Sequence, residues 1–434
     1  MRSALAAIAA LLISVFILLA GSGLQTTLVP LAGKGFGFSD FAIGLIGSSY
    51  FVGMMIGCFA APWLIRRTGH IRAFGACTAL ATGGAILHAL MVEPITWNLL
   101  RCLSGVCFAV LYAVIESWLN DKSDNTNRGS VLAFYNVINF GGMAAGQQFL
   151  RMFPPAGFQL FSMSALLISL AAIPVALTRS QSPPVPDSPQ LRLRWLIKLS
   201  PVGVAGAVTV GLANGAFWTV GPVYASLKGL GAGGAGDFVT ASILGAVLVL
   251  WPAGRLSDRM DRRLVIVGCC IIAAIAGLGL AFVPSGMPLA IYGFGFLFGV
   301  GAIPVYSLSS AHAADFAQPS DMVQVSTGLL LIYTVGAIIG PTLAASLMQV
   351  VGPGSLFGLT AATHIAMAAL TIYRLSQRAA IPAEEREPFV AMPRTSPGVT
   401  DLDPRVEPQE GEVEYVEDSG SGELTDTPVE ENPA

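Results

Sequence analysis

Long apolar stretches recur along most of this chain and constrain its fold more than any other feature. A helix needs about 20 apolar residues to cross a bilayer, because roughly 30 Å of hydrocarbon is spanned at ~1.5 Å per residue. Such stretches occur approximately at residues 4–31, 41–64, 72–92, 96–119, 129–152, 157–177, 200–226, 236–256, 264–283, 288–313, 321–349 and 354–373. In lipid, helices satisfy every backbone hydrogen bond internally. The sequence therefore predicts an all-α membrane protein with twelve transmembrane helices, numbered here as spans 1 to 12.

Charge is too scarce for a soluble fold. Only 11% of the 434 residues are charged, whereas soluble domains carry roughly 25%. Hydrophobic residues make up 54%, so lipid rather than water must solvate most of the surface. The first apolar run follows Arg2 and continues to Leu31. It exceeds the ~7–15 residues of a signal-peptide core, and we interpret it as span 1.

Basic residues are distributed unequally between the two alternating sets of loops. Before the C-terminal tail, the first set holds Arg2, Arg66, Arg67, Arg72, Lys122, Arg128, Arg179, Arg192, Arg194, Lys198, Arg255, Arg259, Arg262 and Arg263. The second set holds only Lys34, Arg151 and Lys228. Loops rich in Lys and Arg stay in the cytoplasm. The sequence therefore predicts a multi-pass protein of the plasma membrane, here the bacterial inner membrane, with both termini cytoplasmic.

Two polar segments divide the chain. Residues 178–199 contain charges and Pro183, Pro184 and Pro186, which do not fit a helix in lipid. They predict a cytoplasmic linker between an N-terminal six-helix bundle, 1–177, and a C-terminal six-helix bundle, 200–377. Residues 378–434 hold 15 of the 26 acidic residues and few large apolar side chains. We predict that they form a disordered acidic cytoplasmic tail.

The two halves carry related segments at the ends of spans 2 and 8. Residues 62–71 read Pro-Trp-Leu-Ile-Arg-Arg-Thr-Gly-His-Ile, and residues 254–263 read Gly-Arg-Leu-Ser-Asp-Arg-Met-Asp-Arg-Arg. Duplicated six-helix units are typical of secondary transporters, whose binding site lies near the midplane between the halves. The sequence thus predicts two pseudo-symmetric bundles around a central site.

The second of these segments resembles the loop motif of the major facilitator superfamily, Gly-x-x-x-Asp-Arg-x-Gly-Arg-Arg. The match comprises Gly254, Asp258, Arg259, Arg262 and Arg263. Asp261 stands where the second glycine is usual. The resemblance implies a gating cluster that latches the two bundles together on the cytoplasmic side.

The first-half copy departs from that motif, because Arg66 stands at the aspartate position and Arg67 follows it. We expect these arginines to pair with Asp321, or with Glu116 and Asp121. The alternative is that they only enforce topology. Glu116 lies well inside span 4, and we assign it to the cytoplasmic charge cluster, with a proton-carrying role as the alternative.

Further short segments resemble the YcaD-like branch of the same superfamily. They are Ser48–Phe51, Glu116–Ser117, Asn127–Gly129, Trp251–Leu256 and Tyr333–Gly336. The resemblance covers roughly residues 10–375. It implies a polytopic inner-membrane carrier of the major facilitator fold, and it does not imply a substrate.

The resemblance also implies a transport pathway, because spans 1, 4, 7 and 10 of the family surround a central cavity. Polar and aromatic side chains on these spans and on span 5 suit a small organic solute. The candidates are Gln25, Arg101, Tyr112, Asn136, Asn139, Asn214, Trp218 and Tyr306. Arg101 matches the family's second motif and is assigned to substrate binding or coupling, or to structural anchoring. For each of the others an interhelical hydrogen bond is the alternative.

These features predict a secondary active transporter of a small organic solute that works by alternating access. The alternatives are a drug or metabolite efflux antiporter and a transporter-derived membrane sensor that signals through the acidic tail. The sequence contains no phosphate-binding loop and no nucleophile or zinc motif, so we predict no ATP-driven pump, no enzyme, no metal site and no cofactor.

The predicted partners are the lipid bilayer, a small-molecule substrate and, where transport is ion-driven, a coupling ion. No nucleic acid partner is expected, and the protein is predicted to be monomeric. The six cysteines all fall within predicted spans, where we interpret them as packing residues.

Overall fold

The computed structural model describes residues 2–123, 127–177, 183 and 192–405, and these residues are almost entirely helical. The first half contains α1 (Arg2–Gly35), α2 (Asp40–Thr68), α3 (His70–Leu90), α4 (Pro94–Asp121), α5 (Arg128–Gln148), α6 (Phe158–Leu170) and α7 (Ala172–Ala176). The second half contains α8 (Leu193–Leu199), α9 (Pro201–Ala225), α10 (Gly231–Arg259), α11 (Arg262–Phe282), α12 (Pro288–Ala302), α13 (Pro304–Ala314), α14 (Met322–Val351) and α15 (Ser355–Gln377).

Ten of the described helical segments are long and apolar enough to cross a membrane, judged by length and composition. One of them, residues 201–259, contains both α9 and α10. The chain turns between these helices at Gly229 and Gly231, whose φ angles of 93° and 65° suit glycine. The more polar α5 is not among the ten. A membrane-spanning helical fold is thus confirmed, whereas the count of twelve spans stays a prediction.

Local signals in the sequence set several helix ends. The Ser39 hydroxyl accepts a hydrogen bond from the Ala42 N–H at the start of α2, at 3.2 Å. The Glu93 carboxylate accepts one from the Thr96 N–H at the start of α4, at 2.9 Å. Both are N-caps that satisfy backbone donors without a partner in the helix. At the other end of α2, Gly69 has a φ of 81° and terminates the helix.

Helices α2 and α4 approach each other more closely than larger residues would allow. A methyl group added to Gly53 would lie 1.9 Å from the carbonyl oxygen of Cys102. One added to Gly105 would lie 2.0 Å from the carbonyl oxygen of Tyr50. Small residues let membrane helices pack closely where no hydrophobic force draws them together. This packing holds Arg101 of α4 beside Tyr50 of α2.

The two halves contact each other directly at one end of the molecule. Helix α2 packs along α14, and α5 packs along α10. Arg151 forms an ion pair with Asp237 of α10, and the hydroxyls of Ser48 and Thr342 are 2.7 Å apart. We name this end, defined by those four residues, the closed end.

Residues 378–405 lie between the halves at the opposite end, which we name the tail end; we name these residues the tail segment. They were predicted to belong to a disordered tail. Instead they include two short 3-10 helices, Ala383–Glu385 and Pro397–Leu402. Apolar side chains explain the difference, because Val390, Met392, Val399 and Leu402 are all buried. Averaging the composition over all of 378–434 conceals this apolar stretch.

Two further predictions fall partly outside the described residues. Residues 406–434 of the predicted tail are not described. Of the predicted linker, 178–199, the structure describes residue 183 and residues 192–199, which include the short helix α8.

Candidate functional site

A cavity of about 160 Å³ lies between the two halves. Helices α1, α2, α4 and α5 line it from the first half, and α9, α10, α13 and α14 line it from the second. Residues 392–395 of the tail segment also line it. An apolar cavity of about 150 Å³ binds one benzene molecule, whereas sites for larger small molecules measure ~300–1,000 Å³. The space beside the tail segment therefore suits a solute with about one ring.

Five of the eight predicted pathway residues lie on the wall of this cavity. They are Arg101, Tyr112, Asn136, Asn139 and Trp218. Tyr306 lies behind the wall, with its ring centre 5.6 Å from that of Tyr333, which does line the cavity. The sequence thus brings most of the predicted set together, although their role as a solute site stays a prediction.

Gln25 and Asn214 are buried in α1 and α9 but do not line the cavity. Within the described part of the chain, Nε2 of Gln25 and both amide atoms of Asn214 have no hydrogen-bond partner. A buried amide without a partner costs free energy. In this conformation neither residue reaches the cavity, and their assignment to a pathway stays a prediction.

Arg101 is the most unusual side chain of the cavity wall. It is only 6% exposed, and its guanidinium carbon lies 4.4 Å from the centre of the Tyr50 ring. It forms no ion pair and no hydrogen bond with any residue that the structure describes. A buried charge is costly unless a counter-charge compensates it. The stacking on Tyr50 supplies only part of that compensation.

The side-chain N–H groups of the two asparagines in the cavity wall donate hydrogen bonds to backbone carbonyl oxygens. Asn139 Nδ2 donates to the carbonyl oxygen of Tyr135 at 2.9 Å. Asn136 Nδ2 donates to the carbonyl oxygens of Leu132 at 3.1 Å and of Ala391, in the tail segment, at 2.7 Å. Interhelical or local hydrogen bonding therefore accounts for these donors in the present conformation.

The predicted gating cluster is built around Arg262, whose side chain is almost fully buried. Its Nε donates to Asp315 at 2.7 Å and its Nη1 to Asp258 at 3.0 Å. Its Nη2 donates to the Glu387 carbonyl of the tail segment. These partners belong to the second half and the tail segment, so in this conformation the Arg262 bonds tie the cluster to the tail segment.

Neighbouring residues complete this cluster. Burial raises the pKa of Asp315, although the hydrogen bonds and charge of Arg262 act in the opposite direction. For Asp261 burial acts to raise the pKa, but the hydrogen bonds and charge of Arg263 outweigh it and lower the pKa. Arg263 also donates to the carbonyls of Arg374 and Arg378, at 3.1 and 2.8 Å. A methyl group on Gly254 would overlap the Phe389 ring, and Arg259 is exposed.

Glu116 is completely buried on α4. It accepts hydrogen bonds from the Tyr135 hydroxyl at 2.9 Å and from the hydroxyls of Thr395 and Ser396 in the tail segment. The sequence pattern predicts that Glu116 lies in a charge cluster with arginines, and it does not predict these hydroxyl donors. They were missed because Thr395 and Ser396 lie in a segment predicted to be disordered.

The expected partners of Arg66 and Arg67 are arranged differently. Among the described residues Asp321 forms no ion pair, and Asp121 pairs with Lys122 at 2.6 Å. Arg67 stacks on Trp63 of its own helix, with 5.6 Å from the guanidinium carbon to the ring centre. Both arginines are exposed. Among the described residues Asp321 therefore pairs with neither arginine, whereas the predicted pairing with Glu116 stays a prediction.

Several wall residues were not selected from the sequence. They include Ser22, Thr26, Ser307, Tyr333 and Arg394. The only signal at Arg394 is its position as an isolated basic residue in an acidic stretch. Among the described residues, no group of His, Cys, Asp or Glu is arranged to hold a metal ion.

Two helical halves around a central cavity define a membrane transport protein, and comparison with known proteins agrees. The sequence model of the Major Facilitator Superfamily matches residues 11–237 and 203–399. The chain belongs to the major facilitator superfamily. Membership assigns it to membrane transport rather than to enzymatic catalysis, as the sequence predicted.

The relatives support the YcaD-like branch. An uncharacterized MFS-type transporter of Enterobacter sp. (strain 638) is 27% identical over 344 residues, which cover 78% of this chain and 88% of that protein. The uncharacterized MFS-type transporter YcaD of Escherichia coli is 27% identical over 328 residues, covering 74% and 84%.

Solved transporter structures share the fold. The nucleoside transporter NupG superposes with a TM-score of 0.73 at 13% identity, over 87% of this chain and 100% of that chain. A bacterial homolog of the human lysosomal transporter Spinster superposes with a TM-score of 0.71 at 13% identity, over 88% and 97%. The predicted major facilitator fold is therefore confirmed.

Proposed function

We propose that this protein is a secondary active transporter that moves a small organic anion by alternating access. The observation that carries the proposal is Arg101, a buried guanidinium on the wall of a cavity between the two halves. No Asp or Glu among the described residues lines that cavity. A carboxylate or phosphate group on the solute would supply the missing counter-charge.

The chemistry of Arg101 favours an anion over a neutral solute. A guanidinium presents parallel N–H donors that match the two oxygens of a carboxylate or phosphate. Desolvating such a cation without a partner is unfavourable, and pairing removes much of that cost. Binding a neutral solute would leave the charge uncompensated.

Aromatic side chains favour a solute with a planar group. Tyr50, Tyr112, Trp218 and Tyr333 line the cavity together with Arg101. Their rings offer large apolar faces, and such faces bind flat rings by offset stacking or edge contacts. A one-ring organic acid combines both features and matches the size of the cavity.

The membrane setting completes the proposal. We propose that the tail end faces the cytoplasm of a bacterial cell, with both termini on that side, because the basic loops lie there. The protein would act as a monomer. Since the described wall holds no carboxylate to carry a proton, a coupling ion would bind elsewhere or together with the solute.

Efflux of a drug or metabolite in exchange for an ion is the alternative direction of transport. Residues 336–341 of α14 resemble an antiporter motif, Gly-x-x-x-Gly-Pro. A methyl group on Gly340 would lie 2.3 Å from the carbonyl oxygen of Leu212. Close packing of α14 on α9 therefore accounts for this motif, and it does not favour antiport.

The test uses pairs of probes of nearly equal size and shape, one an anionic carboxylate and the other a neutral amide. Thermal unfolding of the purified protein is measured with benzoate, benzamide and other one-ring acid and amide pairs. We expect acids alone to raise Tm, and Arg101→Gln to weaken their binding at least about tenfold, since a hydrogen bond to a charged group contributes ~1.5–3 kcal/mol. Arg101→Lys should retain part of the affinity, and Arg72→Gln, at an exposed position, should leave it unchanged.

Equal Tm shifts for acids and amides would contradict the proposed anion site. Acid binding that is unchanged by Arg101→Gln would contradict it as well. A second measurement separates a transporter from a sensor that signals through the tail. Proteoliposomes preloaded with unlabelled acid should accumulate the labelled acid by counterflow. Binding without counterflow would favour the sensor.

A further inference from the structure

The tail segment crosses the gap between the two halves at the tail end. On the second half, the Phe389 N–H donates to Asp258 at 3.0 Å and the Glu387 N–H donates to Asp315 at 3.2 Å. Arg262 donates to the Glu387 carbonyl oxygen in the same place. These bonds fix the start of the crossing to α10, α11 and the end of α13.

The crossing then reaches the first half. Asn136 of α5 donates to the Ala391 carbonyl, and Thr395 and Ser396 donate to the buried carboxylate of Glu116 on α4. Ser307 of the second half donates to the Met392 carbonyl at 3.3 Å. One continuous stretch of backbone is therefore bonded to both halves.

The end of the crossing is packed as tightly as a core element. Ser396, Thr400 and Leu402 are at most 1% exposed, and Val399 is 3% exposed. The 3-10 helix Pro397–Leu402 packs against α4 and α14, one helix from each half. A segment buried to this degree fills the space through which the cavity would open at the tail end.

Arg394 is the tip of this segment inside the cavity. Its guanidinium carbon lies 5.3 Å from the ring centre of Tyr333 and 5.8 Å from that of Tyr306. Its Nη1 has no hydrogen-bond partner among the described residues. Together with Arg101 it gives the cavity wall two guanidinium groups and no described carboxylate.

The geometry of the two ends makes the docked segment incompatible with transport. At the closed end the halves contact each other directly. At the tail end the segment lies between the halves and blocks the route from the cavity to that side of the protein. Alternating access would require the halves to separate and to meet at the tail end, and the segment occupies the space needed for both.

We propose that residues 386–403 form a removable plug that closes the tail end of the central cavity and holds the protein inactive until it leaves. The plug residues are held mainly by side-chain hydrogen bonds from both halves, and Glu116 is the acceptor at their buried centre. The proposal does not depend on which solute is carried. It can therefore be tested without transport.

The test measures access to the cavity. Thr26 lines the cavity and bonds only within its own helix, at 2.9 Å to the Ser22 carbonyl, so Thr26→Cys provides a reporter. Its reaction with a membrane-impermeant maleimide is followed in inside-out vesicles, with the protein lacking this cysteine as the background. The full chain is compared with Thr395→Val/Ser396→Ala, which removes both hydroxyl donors to Glu116.

We expect the double variant to react at least tenfold faster than the parent. Thr395→Ser keeps both hydroxyl donors to Glu116 and should keep the slow rate. Thr363→Val/Ser376→Ala removes hydroxyls that bond only within α15 and should also keep it. Should the double variant not fold, Thr395→Asp in the full chain places a second carboxylate against Glu116 and should raise the rate as well.

Equal labelling rates in the parent and all these variants would overturn the plug. The labelling and counterflow results distinguish this proposal from the proposed function. Faster labelling of the double variant would support the plug, even if no variant showed counterflow. An absence of counterflow in every variant would contradict transport.

Discussion

Two buried ionisable side chains on α4, Arg101 and Glu116, have different partners. They are 15 residues apart, which is about 22 Å along a helix. Glu116 accepts hydrogen bonds from three hydroxyl groups. Arg101 has only the face of Tyr50, which leaves most of its N–H donors for a ligand. The difference is consistent with the proposed binding role of Arg101, whereas Glu116 holds the tail segment through its hydroxyl donors.

At the same scale, Gly53→Ala should destabilise the protein. The added methyl group would lie 1.9 Å from the Cys102 carbonyl oxygen, so α2 and α4 must separate. Overpacking of this kind costs about 1–3 kcal/mol. Thermal unfolding in detergent measures the effect. Gly75→Ala on α3 is the matched control, because a methyl group there meets nothing within 4 Å; equal Tm values for the two variants would contradict the argument.

At the scale of elements, the ends of α10 and α13 and the start of α11 bind the tail segment. Arg262 bonds to Asp258 and Asp315, and the same two carboxylates accept the backbone N–H groups of Phe389 and Glu387. Each of the two carboxylates therefore both orients Arg262 and anchors the backbone of the tail segment. A substitution of either carboxylate should therefore loosen the tail segment and change access to the cavity at the tail end.

Asp258→Asn should loosen the tail segment without preventing folding. The amide keeps one oxygen acceptor but loses the charge that strengthens its bonds to Arg262 and Phe389. Labelling of Thr26→Cys should accelerate about three- to tenfold, which corresponds to about 0.6–1.4 kcal/mol. Glu384→Gln, an exposed change in the same segment, should leave the rate unaltered. Identical rates for both variants would show that Asp258 does not anchor it.

At the scale of the whole molecule, the closed end is held by few polar contacts. Arg151 and Asp237 form a partly exposed ion pair there, and Ser48 bonds to Thr342. An exposed ion pair contributes ~0.2–1 kcal/mol, so under the proposed alternating-access mechanism the Arg151–Asp237 pair biases the equilibrium between conformations without locking it. A transporter that alternates between two states requires such a small bias.

Asp237→Asn should therefore shift the population toward opening at this end. Loss of the ion pair changes the equilibrium at most about fivefold, because ~1 kcal/mol corresponds to that factor. Labelling of Thr26→Cys from the outside of intact cells measures the opening. Lys34→Gln removes a charge paired with Asp40, six residues further along the same half, and serves as the control. A rate for Asp237→Asn equal to that of the control would contradict the prediction.

Much of the fold follows from the sequence because lipid imposes a simple rule. Apolar stretches long enough to cross the bilayer must be helical, so the helices could be located from residues alone. Arg101, Tyr112 and Trp218 were selected from the cavity-lining spans of the family, and they do lie on one cavity wall. Gln25 and Asn214 lie on two of those spans as well, yet they do not reach the wall, because side-chain direction around a helix decides the contact.

The sequence by itself determined the membrane environment, the helical class and the superfamily, since these depend on composition, periodicity and local motifs. Only the tertiary structure decided what residues 386–403 do. Their acidic and proline-rich surroundings predict disorder. Instead, two of their hydroxyls donate to the buried Glu116 on α4, and their backbone bonds to Asn136 on α5 and Asp258 on α10, all far away in the chain. Contacts between distant segments depend on how the helices pack, and no local pattern records them.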